Sequence, residues 1–203
     1  MPGSSANHTS ANDSLSIEQE GSIVSANLPG AWDSTHENLA IRTLTRLNPR
    51  EHESVSISII QPRIPINSDA GQAFHDLLAA YANQAHILSS GEVKSVEKVM
   101  NTLNTGDNQC TNSAQQGDRY APIFHVSECR IEQINGRPVL AVEGSFVNQM
   151  GDPSNMFRGI FIDRDGTGTS IQGIALEAPD KQLYSQYSSA FENMLRSITW
   201  AGQ

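Results

Sequence analysis

Apolar and polar positions along the chain change period several times, and each change predicts an element. In Ser54-Val55-Ser56-Ile57-Ser58-Ile59 the β-branched residues take one face and the serines the other, the period of two of a half-buried antiparallel strand. Just upstream, Leu39, Ile41, Thr43, Thr45 and Leu47 alternate with Ala40, Arg42, Leu44 and Arg46, and Asn48-Pro49-Arg50 reverses the chain between the two strands. After Pro62 and Pro65 the period lengthens. Phe74, Leu77, Leu78, Tyr81, Ala85 and Leu88 recur at helical spacing behind a Ser68 or Asp69 cap. Gly91 separates that helix from a second one carrying Val93, Val96, Val99, Met100 and Leu103. Between Asn104 and Gly117 no periodicity survives, and the stretch reads as a polar loop.

The last third of the chain predicts strands over 123–134, 139–147, 157–162 and 170–178, punctuated by the turn signals Asn135-Gly136 and Asp165-Gly166. Such short connections make neighbouring strands antiparallel, as a β-meander. Both faces of these strands are apolar: Val139, Ala141 and Val147 lie against Leu140, Val142 and Phe146, so helices are expected to cover much of the sheet on at least one side. Pro179-Asp180 opens a final helix with Leu183, Tyr187, Phe191, Met194 and Ile198 on one stripe and Trp200 just beyond, a core helix. At the other end, Ser22-Ile23-Val24 begins the folded part, and Leu28-Pro29-Gly30-Ala31-Trp32 combines a turn with an aromatic core anchor. The expected fold class is α+β, an antiparallel sheet meander covered by helices.

Composition bears on the domain count. With 203 residues and 37% hydrophobic content, one sizeable core can form, and a single domain over 22–203 is expected. Residues 1–21 are rich in Ser, Asn and Ala and poor in large apolar groups, so they read as a disordered polar leader, a spacer, or a tether left by an omitted signal. The net charge of −9 repels phosphate backbones and anionic lipid, which argues against nucleic acid as a partner. No apolar run approaches the roughly 20 residues a bilayer requires, so no membrane insertion is expected. As written the chain carries no export signal and reads as cytoplasmic; a preceding signal would make it periplasmic, lumenal or secreted.

Candidate chemistry is sparse. Asp163-Arg164-Asp165-Gly166 begins like a calcium loop, but glycine comes at the fourth position and Ile174 stands where a bidentate Glu is needed, so a glycine-rich turn is the plainer reading. His75 and His86 would lie about 16 Å apart on one helix face, too far for a shared metal ion. His125 and Cys129 are about 13 Å apart along one strand and cannot form a nucleophile pair within it. Ser145 lies in a strand without the turn that exposes a nucleophile. Cys110 and Cys129 are the one pair that can form an internal disulfide, which would tie down the polar loop and contribute about 3 kcal/mol in an oxidising compartment. No nucleotide-binding motif is present, so no catalytic, cofactor or metal residue is assigned.

One resemblance emerges from the order of elements: the Leu28-Pro29-Gly30-Ala31-Trp32 opening, paired strands, helices, the Asn135-Gly136-Arg137-Pro138 hairpin before Val142-Glu143-Gly144, a second hairpin, and Phe191…Met194-Leu195-Arg196-Ser197-Ile198. This order resembles the PsbP/DcrB-like α/β/α sandwich superfamily over about residues 22–200. The resemblance implies a non-catalytic protein-binding or assembly module, an adaptor whose working surface is an uncovered sheet face or the loops at its ends. It carries over no ligand residue. Rival expectations are a small-molecule or lipid pocket between sheet and helices, with or without hydrolytic activity, and a secreted effector or effector chaperone. A cavity of several hundred cubic ångströms favours the pocket; a packed interior beside an exposed apolar patch favours a protein partner.

Overall fold

A computed structural model describes residues 14–38, 42–62, 68–94, 123–147 and 153–202. In chain order these form β1 (Ser14–Glu20), β2 (Ile23–Pro29), β3 (Trp32–Asn38), β4 (Arg42–Pro49), β5 (Ser56–Pro62), α1 (Ser68–Ala80) and β6 (His86–Ile87). There follow β7 (Ile123–Ile134), β8 (Arg137–Val147), β9 (Pro153–Asp163), β10 (Ile171–Ala178), α2 (Lys181–Ser197) and β11 (Thr199–Trp200). Among the described residues, eight strands make one antiparallel sheet in the order β3-β4-β5-β10-β9-β8-β7-β6, and β1-β2-β11 make a second.

The expected meander is present as β7-β8-β9-β10, and β5 closes onto β10 with Ile59 opposite Ile174. The Asn135-Gly136 signal is a two-residue turn: Ile134 pairs with Arg137, and both turn residues have positive φ, 48° and 78°, the conformation that favours Asn and Gly. Asp165-Gly166 is different. Asp163 pairs with Ile171 and Arg164 N donates to Ser170 O at 2.8 Å, so a seven-residue loop spans 164–170.

Alternation along the central strands builds two cores. Ile57, Ile59, Val139, Ala141, Ile160, Ile162, Ile174 and Leu176 face α2 (Phe191, Met194, Leu195) and the small sheet (Ile17, Ile23, Leu28), with Trp32 and Trp200 at its margins. The opposite residues, Cys129, Ile131, Leu140, Val142, Phe157, Phe161 and Ala175, face Phe74 and Leu78 of α1. Burying each large side chain of α2 contributes about 2 kcal/mol. Asp180 caps that helix through a 2.8 Å bond from Leu183 N, as its sequence position led us to expect.

The fold is thus α+β and sheet-rich, and part of one face is roofed by a second sheet where helices were expected. Other expectations need correction. Ser14–Glu20, assigned to a disordered leader, form β1, because Ile17 is buried and Leu15 packs against the core while the intervening residues are exposed. Residues 1–13 lie outside the described residues. The first helix stops at Ala80 instead of reaching Leu88: a turn follows, and His86-Ile87 join the edge of the sheet beside Ile131 and Arg130. Beyond a helical turn at 90–94, the second predicted helix and the loop at 104–117 lie outside the described residues. β3 escapes periodicity altogether. Beyond Trp32 it is exposed on both faces, and ladder bonds to β4 hold it. Buried side chains cover both faces of the central strands, while β3 at one edge of the sheet is exposed on both.

Candidate functional sites

Among the described residues, one concavity lies on each side of the sheet. The larger, about 340 Å³, is bounded by the Pro29–Trp32 turn, by Pro49 and Glu51 after β4, and by Gln186, Tyr187 and Ala190 of α2. Its floor is stiff for identifiable reasons. Trp32 is buried, donates from Nε1 to Pro29 O at 2.9 Å, and meets Tyr187 edge-on at a centroid distance of 5.6 Å. His52 meets the same tyrosine edge-on at 5.9 Å. Arg50 N donates to Ala31 O at 3.1 Å, and Asn48 Nδ2 donates to Val55 O at 2.8 Å and Glu53 O at 3.1 Å, so the β4–β5 connection is fastened at both ends. Arg50 is paired with Asp33 at 2.9 Å. Among the described residues, Glu51 is the one charged residue lining the groove. Burial, then the neighbouring Glu51 charge, raise the Tyr187 hydroxyl above its ordinary range.

The smaller concavity, about 170 Å³, lies where α1 meets the 164–170 loop and the start of β8, lined by His75, Leu78, Ala79, Ala82, Arg137, Pro138, Asp163 and Gly166. Two glycines allow that meeting. A methyl group on Gly71 would fall on the carbonyl oxygen of Gly168, and one on Gly168 would fall on that of Gly71, so only bare backbones can approach this closely. The contact brings His75 to Asp163: Nδ1 lies 2.8 Å from Oδ2. Gly166 N and Gly168 N donate to the same carboxylate at 3.1–3.2 Å. Arg137 Nη2 donates to the carbonyls of Asp163 at 2.9 Å and Arg164 at 3.3 Å, and its guanidinium lies over the Trp200 ring, 5.5 Å from the centroid.

His75 and Asp163 thus have the spacing of an acid–base pair, but among the described residues no Ser, Thr or Cys side chain is hydrogen-bonded to His75. The calcium reading of this loop fares differently. Asp163 is engaged by His75 and two backbone donors, while Asp165 accepts from Thr167 N at 3.1 Å and Thr169 Oγ1 at 2.6 Å. Burial would raise the Asp165 carboxyl, but the donors of Thr169 and Thr167 prevail and hold it well below its usual range. Both carboxylates therefore fasten the loop, and among the described residues no cluster of three metal-ligating side chains exists.

Cys129 is a buried thiol on β7, pushed up to about 12 by burial and then by the nearby Glu92 charge; Cys110, its proposed disulfide partner, lies outside the described residues. His86 is not aligned with His75 on a helix: it stacks on Tyr81 at 3.6 Å. Ser145 sits mid-strand opposite Met156, and the His125 side chain lies outside the described residues. Sequence reasoning missed the His75–Asp163 pair, which are 88 residues apart; the paired glycines Gly71 and Gly168 were its only trace. No family model matches this chain, and no curated protein matches it.

Proposed function

We propose that the protein is a non-catalytic binding module of the PsbP/DcrB-like α/β/α kind, and that it holds an extended segment of a basic, apolar or proline-bearing protein partner in the groove between the Pro29–Trp32 turn and α2. The observation that carries this reading is the groove itself: an apolar floor of Pro29, Ala31, Trp32, Pro49 and Ala190 with Gln186, Tyr187 and Glu51 at hand for hydrogen bonds and charge. Support for the partner's sign comes from Glu51 and from the −9 charge of the whole chain, which steers cationic segments inward and repels anionic ones. A helix packed on each side of the sheet supports the sandwich assignment. Among the described residues, buried side chains pack against both faces of the central strands, which supports a surface-bound partner over a lipid held inside.

Panning a random peptide library against the wild-type chain and against Ala190→Arg tests this. The expected result is enrichment of apolar or proline-containing peptides with Lys or Arg, binding that weakens with salt, and loss of that binding in the variant. Peptides with no basic residue, or retained equally by Ala190→Arg, would contradict it.

A further inference from the structure

Asn135-Gly136 is the only Asn-Gly pair in the sequence, and the β7–β8 turn it forms does more than reverse the chain. Asn135 Nδ2 donates to the carbonyls of Arg196 at 3.0 Å and Ile198 at 2.6 Å, so each hydrogen of the carboxamide serves a carbonyl at the end of α2. Carbonyls in a last helical turn lack partners within the helix, and here the donor comes from 61 and 63 residues away. Trp200 Nε1 adds a bond to Ile134 O at 2.7 Å, on the strand that leads into the turn. The Asn135 carboxamide is thus a latch between the turn and the corner where α2 passes into β11.

The same pair is chemically labile. The backbone nitrogen of a glycine after asparagine can bond to the asparagine Cγ; the Cγ–Nδ2 bond breaks, and ammonia leaves carrying the proton that the glycine nitrogen gave up. Water then opens the cyclic imide to aspartate or isoaspartate. Glycine permits the attack because no side chain obstructs the approach. Gly136 is exposed and its N–H has no acceptor among the described residues, so the nucleophile is accessible. Geometry withholds the reaction. Pairing of Ile134 with Arg137 fixes the backbone of the turn, the two Nδ2 bonds fix the carboxamide, and ring closure requires both to rotate.

We propose that Asn135 is a deamidation site gated by the end of α2, a one-way latch: it converts when the α2–β11 corner comes away, and the product does not close it again. The reason is a reversal of sign. A carboxylate at 135 accepts and does not donate, so it faces two carbonyls at the negative end of the α2 dipole. Arg137, next to the turn, is engaged by the Asp163 and Arg164 carbonyls and the Trp200 ring, and Arg196 is exposed, where water screens an ion pair. Isoaspartate adds an atom to the main chain, which a two-residue turn does not accommodate.

The test is peptide mass spectrometry of the full chain aged in mildly alkaline buffer, folded and in urea, scoring the amide-to-acid mass gain at Asn135. Conversion at least tenfold slower in the folded chain is expected. Ser197→Ala removes the hydroxyl that accepts from Asn27 N at 2.8 Å, loosening the end of α2 without touching the turn, and should speed conversion in the folded chain at least threefold. Asn135→Asp keeps the side chain's shape and tolerates the same φ of 48°, so it isolates the loss of the donor. In that variant the Ile198 and Ala201 amides, bonded in the wild type to Leu195 O and Ser22 O, should exchange with deuterium at least tenfold faster, a larger change than at Ile160 and Ile174 in the central strands. Equal conversion in folded and unfolded chains, unchanged conversion in Ser197→Ala, or unaltered exchange at Ile198 and Ala201 in Asn135→Asp would overturn the proposal.

Discussion

At the scale of single residues, environment decides what each reactive group can do. Cys129 is held as a thiol by its apolar surroundings, with a pKa pushed up to about 12, so at pH 8 almost none is thiolate. Iodoacetamide should leave it unmodified in the folded chain and alkylate it in denaturant, with mass spectrometry as the readout; rapid alkylation of folded protein would refute the burial. Glu92 shows the reverse case. The Ser89 hydroxyl and backbone N–H donate to its carboxylate at 2.7 Å and lower its pKa from 4.5 to about 2. Because the folded value is depressed, this contribution to stability is complete above about pH 4.5 and lost as pH falls through 2. Glu92→Gln should therefore flatten the acid limb of a stability–pH curve between those values, as followed by urea melts. The Ser89–Glu92 contact was not read from the sequence; the burial of Cys129 was readable only in outline, from its place in an apolar strand.

At the scale of elements, the sequence was informative wherever one face of an element is buried and the other is wet. β4, β5 and α2 announce themselves by period, whereas β8 and β10, buried on both faces, are marked by apolar runs between turn signals, and Asn135-Gly136 announces its hairpin. That turn also does something no local pattern foretells: Asn135 Nδ2 donates to the carbonyls of Arg196 at 3.0 Å and Ile198 at 2.6 Å, closing the end of α2. β3 was illegible because it is solvated on both faces, and β6 because two residues carry no period. β1 was hidden by its composition, since Leu15 and Ile17 alone anchor seven residues. The docking of α1 on the 164–170 loop depends on Gly71 and Gly168. Gly to Ala inside a helix ordinarily stabilises by about 1 kcal/mol. Gly71→Ala should instead destabilise by about 2 kcal/mol, because the methyl meets the Gly168 carbonyl, and a thermal melt will give the sign.

At the scale of the whole molecule, two packed cores share one sheet, and charge is placed to join layers. Arg158 lies between Glu143 at 2.9 Å and Glu192 at 2.5 Å, tying α2 to β8 and β9. Arg158→Met would leave two partly buried carboxylates facing each other, and should cost about 2–3 kcal/mol at neutral pH, less at pH 4, in chemical denaturation. Tertiary pairings of this kind join residues distant in sequence, which is why neither the groove nor the His75–Asp163 pair could be read from spacing. With both faces of the central strands covered, the account places recognition at a surface concavity, and of the two described the groove beside Tyr187 is the larger. The central claim is that this groove holds a basic, apolar segment. Its most direct test is an amide chemical-shift map of the chain with a library-selected peptide. The account predicts perturbations at Ala31, Glu51, Gln186, Tyr187 and Ala190 with His75 and Ala79 unmoved; perturbations gathered on another face would contradict it.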